Sequence, residues 1–232
     1  MKKIIYLAIF LLFGPESMAQ NKAIPASTQS YFDLAAGAGN QVYSGALSYN
    51  RTHGLLESKK LRLGYGLRFS AFSGNQLNYI TAPAKLTKEA ATTDTLNIKS
   101  PLSMGISATV NIEYLLSPKL RLGFNIDVVG LGFGSAQNSE FVSDENVAAK
   151  YPTSVNATPT SLNLLLVGDN DIGQLKSEFY IGYSLSEKLL LRAGLDMTFS
   201  EYTTAQILAQ NNDRFRYKAM LFFAGVSFNP FK

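Results

Sequence analysis

A chain of 232 residues with 16% charged and 12% aromatic side chains is long enough for one domain, but charge-poor for a water-soluble one, where roughly a quarter of residues are charged. Its formal charge of +4 is too weak to point to nucleic acid, and the lack of cysteine excludes disulfides, zinc–thiolate sites and thiol nucleophiles. No run of 18 apolar residues offers a transmembrane helix, yet a mean hydropathy of +0.03 fits a chain whose residues alternately face lipid and a barrel interior.

The chain opens with the anatomy of a cleavable export signal. Lys2 and Lys3 precede a short apolar run over 4–13, and Ser17-Met18-Ala19 places small residues before a predicted cleavage at Gln20. Residues 1–19 are therefore read as a signal peptide, 20–30 as a flexible leader and 31–232 as one β-barrel domain. Eight strands are predicted in that domain, at 31–39, 43–52, 61–72, 102–116, 120–133, 174–185, 189–200 and 214–228. The turns near 54–60, 117–119 and 186–188 are short, whereas the segments 73–100, 134–173 and 201–213 are long or medium. Sorting of connections by side is the signature of a membrane barrel, with periplasmic turns and extracellular loops.

One pattern recurs at the short turns. IEYLLSPKLRLGF (112–124) and IGYSLSEKLLLRAGL (181–195) each place a Tyr, then a turn with Ser and Lys, then a Leu-rich strand, and a looser copy spans 47–65. The alternation along these strands separates two faces. Leu102, Met104, Ile106, Ala108, Val110, Ile112 and Tyr114 share one, against Ser103, Gly105, Ser107, Thr109, Asn111 and Glu113. The polar face carries glycine and charges of both signs, which suits a narrow interior where charges must pair. The predicted interior network is Asp33, Arg62, Arg68, Glu113, Arg121, Asp127, Lys176, Glu178, Arg192, Asp196, Arg214 and Arg216, with Lys218 beside it. Such a lumen reads as a plug of ion pairs. Arg214, Arg216 and Lys218 also offer a basic rim for anionic lipopolysaccharide. Tyr49, Tyr114, Tyr183 and Phe228 are expected to form an aromatic girdle at the periplasmic interface, where rings with a polar tip are favoured.

The C-terminal Phe222-x-x-Gly225-x-x-Phe228, followed by Phe231, resembles the aromatic-terminated last strand read by the outer-membrane assembly machinery, with Pro230 and Lys232 as departures. Over residues 31–232 the chain resembles the small eight-stranded outer-membrane barrels of the OmpA/OmpX type. That resemblance implies an all-β, transmembrane, antiparallel up-and-down barrel in the outer membrane of a Gram-negative bacterium. It is one of architecture and transfers no functional residues.

Little in the sequence points to catalysis. The one histidine, His53, is expected in a turn without Ser and carboxylate partners, and Asp169-Asn170-Asp171-Ile172-Gly173 lacks the glycine and glutamate of a calcium loop. No cofactor or metal is implied. The expectation is a non-enzymatic membrane protein with a structural or binding role. Its partners would be outer-membrane lipid and lipopolysaccharide, and a protein reached through 73–100 and 134–173. The alternatives are a subunit of a secretion or uptake assembly, a lipid-modifying barrel enzyme and a narrow solute channel. The stretch 162–167 with its following turn is a candidate extra strand.

Overall fold

The structure, a computed structural model, describes residues 26–82, 93–143, 149–166 and 170–231. The predicted signal peptide (1–19), the leader to residue 25, and Val167, Gly168, Asp169 and Lys232 lie outside the described residues. Among the described residues there is no α-helix, and thirteen antiparallel strands form, which corrects the expected count of eight. They are β1 (Thr28–Ala38), β2 (Val42–Leu55), β3 (Leu61–Gly74), β4 (Leu77–Thr81), β5 (Thr95–Ile98), β6 (Leu102–Leu115), β7 (Leu120–Phe133), β8 (Gln137–Val142), β9 (Ser154–Pro159), β10 (Leu162–Leu164), β11 (Leu175–Ser184), β12 (Leu189–Leu208) and β13 (Asn212–Phe228). The five strands beyond the expected set, β4, β5, β8, β9 and β10, are the short ones inside the two long segments.

The pairings trace two closed circuits. In the lower one, β1, β2, β3, β6, β7, β11, β12 and β13 pair in that order and β13 returns to β1. Closure leaves the wall without an edge strand, so its backbone N–H and C=O groups can pair around the ring. In the upper circuit, the prolonged ends of β12 and β13 join β4, β5, β8 and β9. Pairs such as Phe215↔Thr81 and Tyr202↔Pro159 make the junctions. This explains why β12 runs to Leu208 and not to Ser200 as predicted. Glu201, Tyr202 and Thr203 pair with β13 on one side, and Tyr202–Thr204 with β9 on the other. The predicted loop 201–213 shrinks to a single 3-10 turn, Ala209–Asn211.

The two circuits enclose different materials. The upper one holds the main hydrophobic core, with Leu77, Tyr79, Leu96, Ile98, Phe141, Val155, Tyr202 and Phe215 all buried. The lower one holds mostly polar and charged side chains and turns its apolar residues outward. Alternation dictates this split: residues two apart stay on one face, so each wall strand sends one set in and the other out.

A third feature breaks the symmetry. β7 pairs with β11 only from Leu120↔Tyr183 to Ile126↔Ser177. An irregularity against β6, between Ala108 and Thr109, leaves Val128 unpaired in that ladder. Above it β7 pairs with β10 instead (Leu162↔Leu131 to Leu164↔Val129), and Leu165 N–H donates to the Val128 carbonyl at 2.9 Å. Leu162–Leu164 thus wedges into the wall, pinned on its far side by the Leu164↔Ile172 bridge. The candidate extra strand exists in shortened form.

Candidate functional site: a charged interior under an apolar cap

The wall strands bring ten of the twelve predicted interior charges into the lumen. Arg68 Nη1 donates to Asp127 Oδ1 at 2.9 Å and to the Lys176 carbonyl at 3.0 Å, and its Nη2 lies 3.8 Å from Glu178 Oε2. Glu178 also meets Arg192 Nη1 at 3.3 Å and Lys176 Nζ at 3.7 Å, and accepts from Asn125 at 3.0 Å. Arg192 Nη2 reaches Asp33 Oδ2 at 3.4 Å, and its guanidinium sits 4.7 Å over the Tyr180 ring. Lys176 pairs with Asp196, which accepts from Ser44 and Thr198 as well. Nearer the short-turn end, Glu113 accepts from the hydroxyls of Tyr31 and Tyr180, each at 2.9 Å, and pairs with Arg121 at 3.4 Å. Arg62 is fully buried and is satisfied by Thr52 and by the carbonyl of Ala26. Removing these charges from water is costly, and the dense mutual pairing offsets it.

Arg214 and Arg216 stand apart from that network, on the other face of β13. In the β12–β13 register Arg216 stands opposite Glu201 and Arg214 opposite Thr203, on the face turned away from Tyr202 and Phe215. The interior positions of β13 are Leu221, Phe223 and Ser227, all buried and all odd-numbered. Arg214, Arg216 and Lys218 are even-numbered and take the opposite face, where Arg216 is still buried, Arg214 is partly buried and Lys218 is exposed. The extended end of β13 lies alongside the cap, where Arg214 binds Glu201 through Nε (3.0 Å) and Nη2 (2.7 Å). Glu201 also receives the Gly173 N–H at 3.4 Å, and its backbone carbonyl receives Gln174 Nε2 at 2.7 Å, which ties the segment after β10 to β12. Burial raises the Glu201 carboxyl above its ordinary range even though Arg214 pulls it down.

Uncharged residues complete the interior: alternation places Ser107 and Asn111 on the polar face, whereas it does not single out Asn50 and Asn163. Asn50 donates to Asp33 at 2.8 Å, Asn111 to Asn50 at 3.0 Å, and Asn163 from β10 to Ser107 at 3.3 Å. Parity was the available signal for Asn111, which shares its face of β6 with Glu113, whereas β2 and β10 carried no residue already assigned inward. Two cavities lie along this axis. One of about 30 Å³ sits at the short-turn end among Tyr31, Arg121, Ser186 and Ser227, and one of about 10 Å³ sits under the cap near Phe72, Lys176 and Phe199.

The four girdle residues, Tyr49, Tyr114, Tyr183 and Phe228, all face outward and are half exposed. His53 stands in β2 and not in a turn. Its Nδ1 lies 3.2 Å from Thr28 Oγ1 and its ring stacks on Tyr65. Asp171 caps its turn by accepting the Leu166 N–H at 2.9 Å, and Gly173 has φ of 83°. Among the described residues no group of three or more His, Cys, Asp or Glu side chains is placed to hold a metal ion.

No family model matches the chain, and no curated protein sequence does. Solved structures that match include Neisserial surface protein A, at 9% identity and TM-score 0.36, covering 87% of this chain and 95% of that one. The CymD monoaromatic hydrocarbon channel matches at 10% identity and TM-score 0.22 (96% and 92%), and the NanC porin at 8% and 0.21 (85% and 99%).

Proposed function

We propose that this chain is an integral outer-membrane barrel whose lumen is sealed and whose role, structural or binding and not catalytic, is exerted by the cap. The observation that carries the reading is inversion. Each of the eight wall strands shows large apolar side chains outward, among them Leu34 at 65% exposure, Ile181 at 54% and Phe222 at 77%, while arginine and glutamate are buried within. A soluble protein rarely exposes a contiguous apolar patch beyond a few hundred Å². A belt around the whole wall is stable only against hydrocarbon. With an export signal in front, the short-turn end is assigned to the periplasm and the cap to the cell exterior.

Sealing follows from packing. An eight-stranded barrel leaves an interior just filled by side chains. Here the charged ladder occupies it below and the apolar core closes it above. The outward face of the cap carries Asn78, Asn97, Asn138, Glu140 and Asn156, where a partner would be met.

Folding the full chain into lipid vesicles tests the reading. Unboiled protein should migrate differently from boiled protein on a gel, and planar bilayers holding it should show no steady conductance. Identical migration would remove the barrel reading; a persistent single-channel current would remove the sealed one.

A further inference from the structure

The three short turns share more than a topology. Leu56-Glu57-Ser58-Lys59, Leu116-Ser117-Pro118-Lys119 and Leu185-Ser186-Glu187-Lys188 each read Leu-x-x-Lys. In each the leucine points into the surroundings, at 77%, 45% and 54% exposure. In the second and third turns the bonding is the same atom for atom. Leu116 N–H donates to the Leu120 carbonyl at 2.9 Å, as Leu185 does to Leu189, also at 2.9 Å. Ser117 Oγ accepts from Lys119 N–H (3.3 Å) and Leu120 N–H (3.0 Å), as Ser186 Oγ does from Lys188 (3.3 Å) and Leu189 (3.1 Å).

The turns are also knitted into one rim. The carbonyls of Lys60, Lys119 and Lys188 accept the N–H groups of Leu115, Ser184 and Asn229, at the end of the next strand around or just past it, at 2.9, 2.8 and 2.8 Å. The backbone of each lysine is therefore held in place, and four lysines, Lys59, Lys60, Lys119 and Lys188, outweigh Glu57 and Glu187 among these turns.

From this we infer that the short-turn rim is a binding ring for anionic glycerophospholipid, resting on the membrane reading above. An exposed leucine at the foot of an apolar wall is favourable inside the acyl layer. A lysine three residues later lays its aliphatic stem along that layer and carries its ammonium out to the phosphate level. Tyr114 and Tyr183, two residues before Leu116 and Leu185 on the same outward face, mark the boundary between the two levels.

The test uses the full chain in micelles doped with equal amounts of phosphatidylglycerol and phosphatidylcholine of the same acyl chains, with native mass spectrometry counting retained lipids. The wild type should retain phosphatidylglycerol several-fold over phosphatidylcholine, and the triple variant Lys59→Gln, Lys119→Gln, Lys188→Gln should lose that preference while keeping its unboiled gel mobility. Equal retention of both lipids by the wild type, or an undiminished preference in the variant, overturns the inference and leaves the barrel standing. Loss of heat-modifiable migration by the wild type itself would overturn the membrane reading instead.

Discussion

At the residue scale one constraint in the barrel is the absence of a side chain. Gly123 faces Tyr180, and a Cβ built there would fall inside the phenol ring. The ring cannot give way cheaply, because its hydroxyl donates to Glu113 at 2.9 Å while Arg192 lies over its face. The glycine thus makes room for a tyrosine that completes the charge network. Gly123→Ala should lower barrel stability by about 1–3 kcal/mol, the usual range for an overpacked core, read as a lower urea midpoint of the unboiled gel band. An unchanged midpoint would mean that Tyr180 is free to move. In the sequence Gly123 was legible as an interior position by its alternation with Leu122 and Phe124, but the tyrosine opposite was not, since it is set by the β7–β11 register (Tyr180↔Gly123).

At the element scale the question is what holds the cap on the barrel. Besides the continuous strands β12 and β13, Tyr202 reaches down to the start of β6. Its hydroxyl donates to the Leu102 carbonyl and accepts the Leu102 N–H, each at 3.0 Å. Tyr79 packs edge-on against it and shares a hydrogen bond with Ser200. Burial pushes the Tyr202 phenol up to about 12, against the pull of its bond to Leu102, and pushes Tyr79 higher still. A folded-state value above the ordinary 10.0 means that the neutral phenol favours the folded cap. That contribution is complete below the ordinary value and is lost as pH rises through about 12 for Tyr202. Tyrosinate absorbance should therefore show a late step near pH 12 that Tyr202→Phe removes. A titration finishing at the ordinary tyrosine value would show that the cap stands open.

For the whole molecule, two unlike cores stacked on one pair of strands imply two stabilities. Neutralising Glu178 leaves Arg68, Arg192 and Lys176 buried without their common partner, a loss on the order of 3–5 kcal/mol. Glu178→Gln should accordingly lower the denaturant midpoint of the barrel. Phe141→Ala opens a cavity among Tyr151, Phe215 and the other cap residues, at a cost of about 3–5 kcal/mol. It should speed amide exchange in β4, β5, β8 and β9 and leave gel mobility intact. If Phe141→Ala also abolished the folded band, the two circuits would be a single cooperative unit.

The sequence by itself determined the wall. Period-two alternation, the Ser–Lys turns and the sorting of connections located its strands and placed ten of its interior charges, because each of these is local and repeats. The second circuit was decided only in three dimensions. The strands β4, β5, β8 and β9 are four-to-six-residue stretches, too short for period or length to mark them. Arg214 and Arg216 show the same limit from the other side. Alternation says that two residues share a face, but only the packing of the segment after β10 on Glu201 shows that this face is covered there. Such packing, like register, is a property of two segments at once.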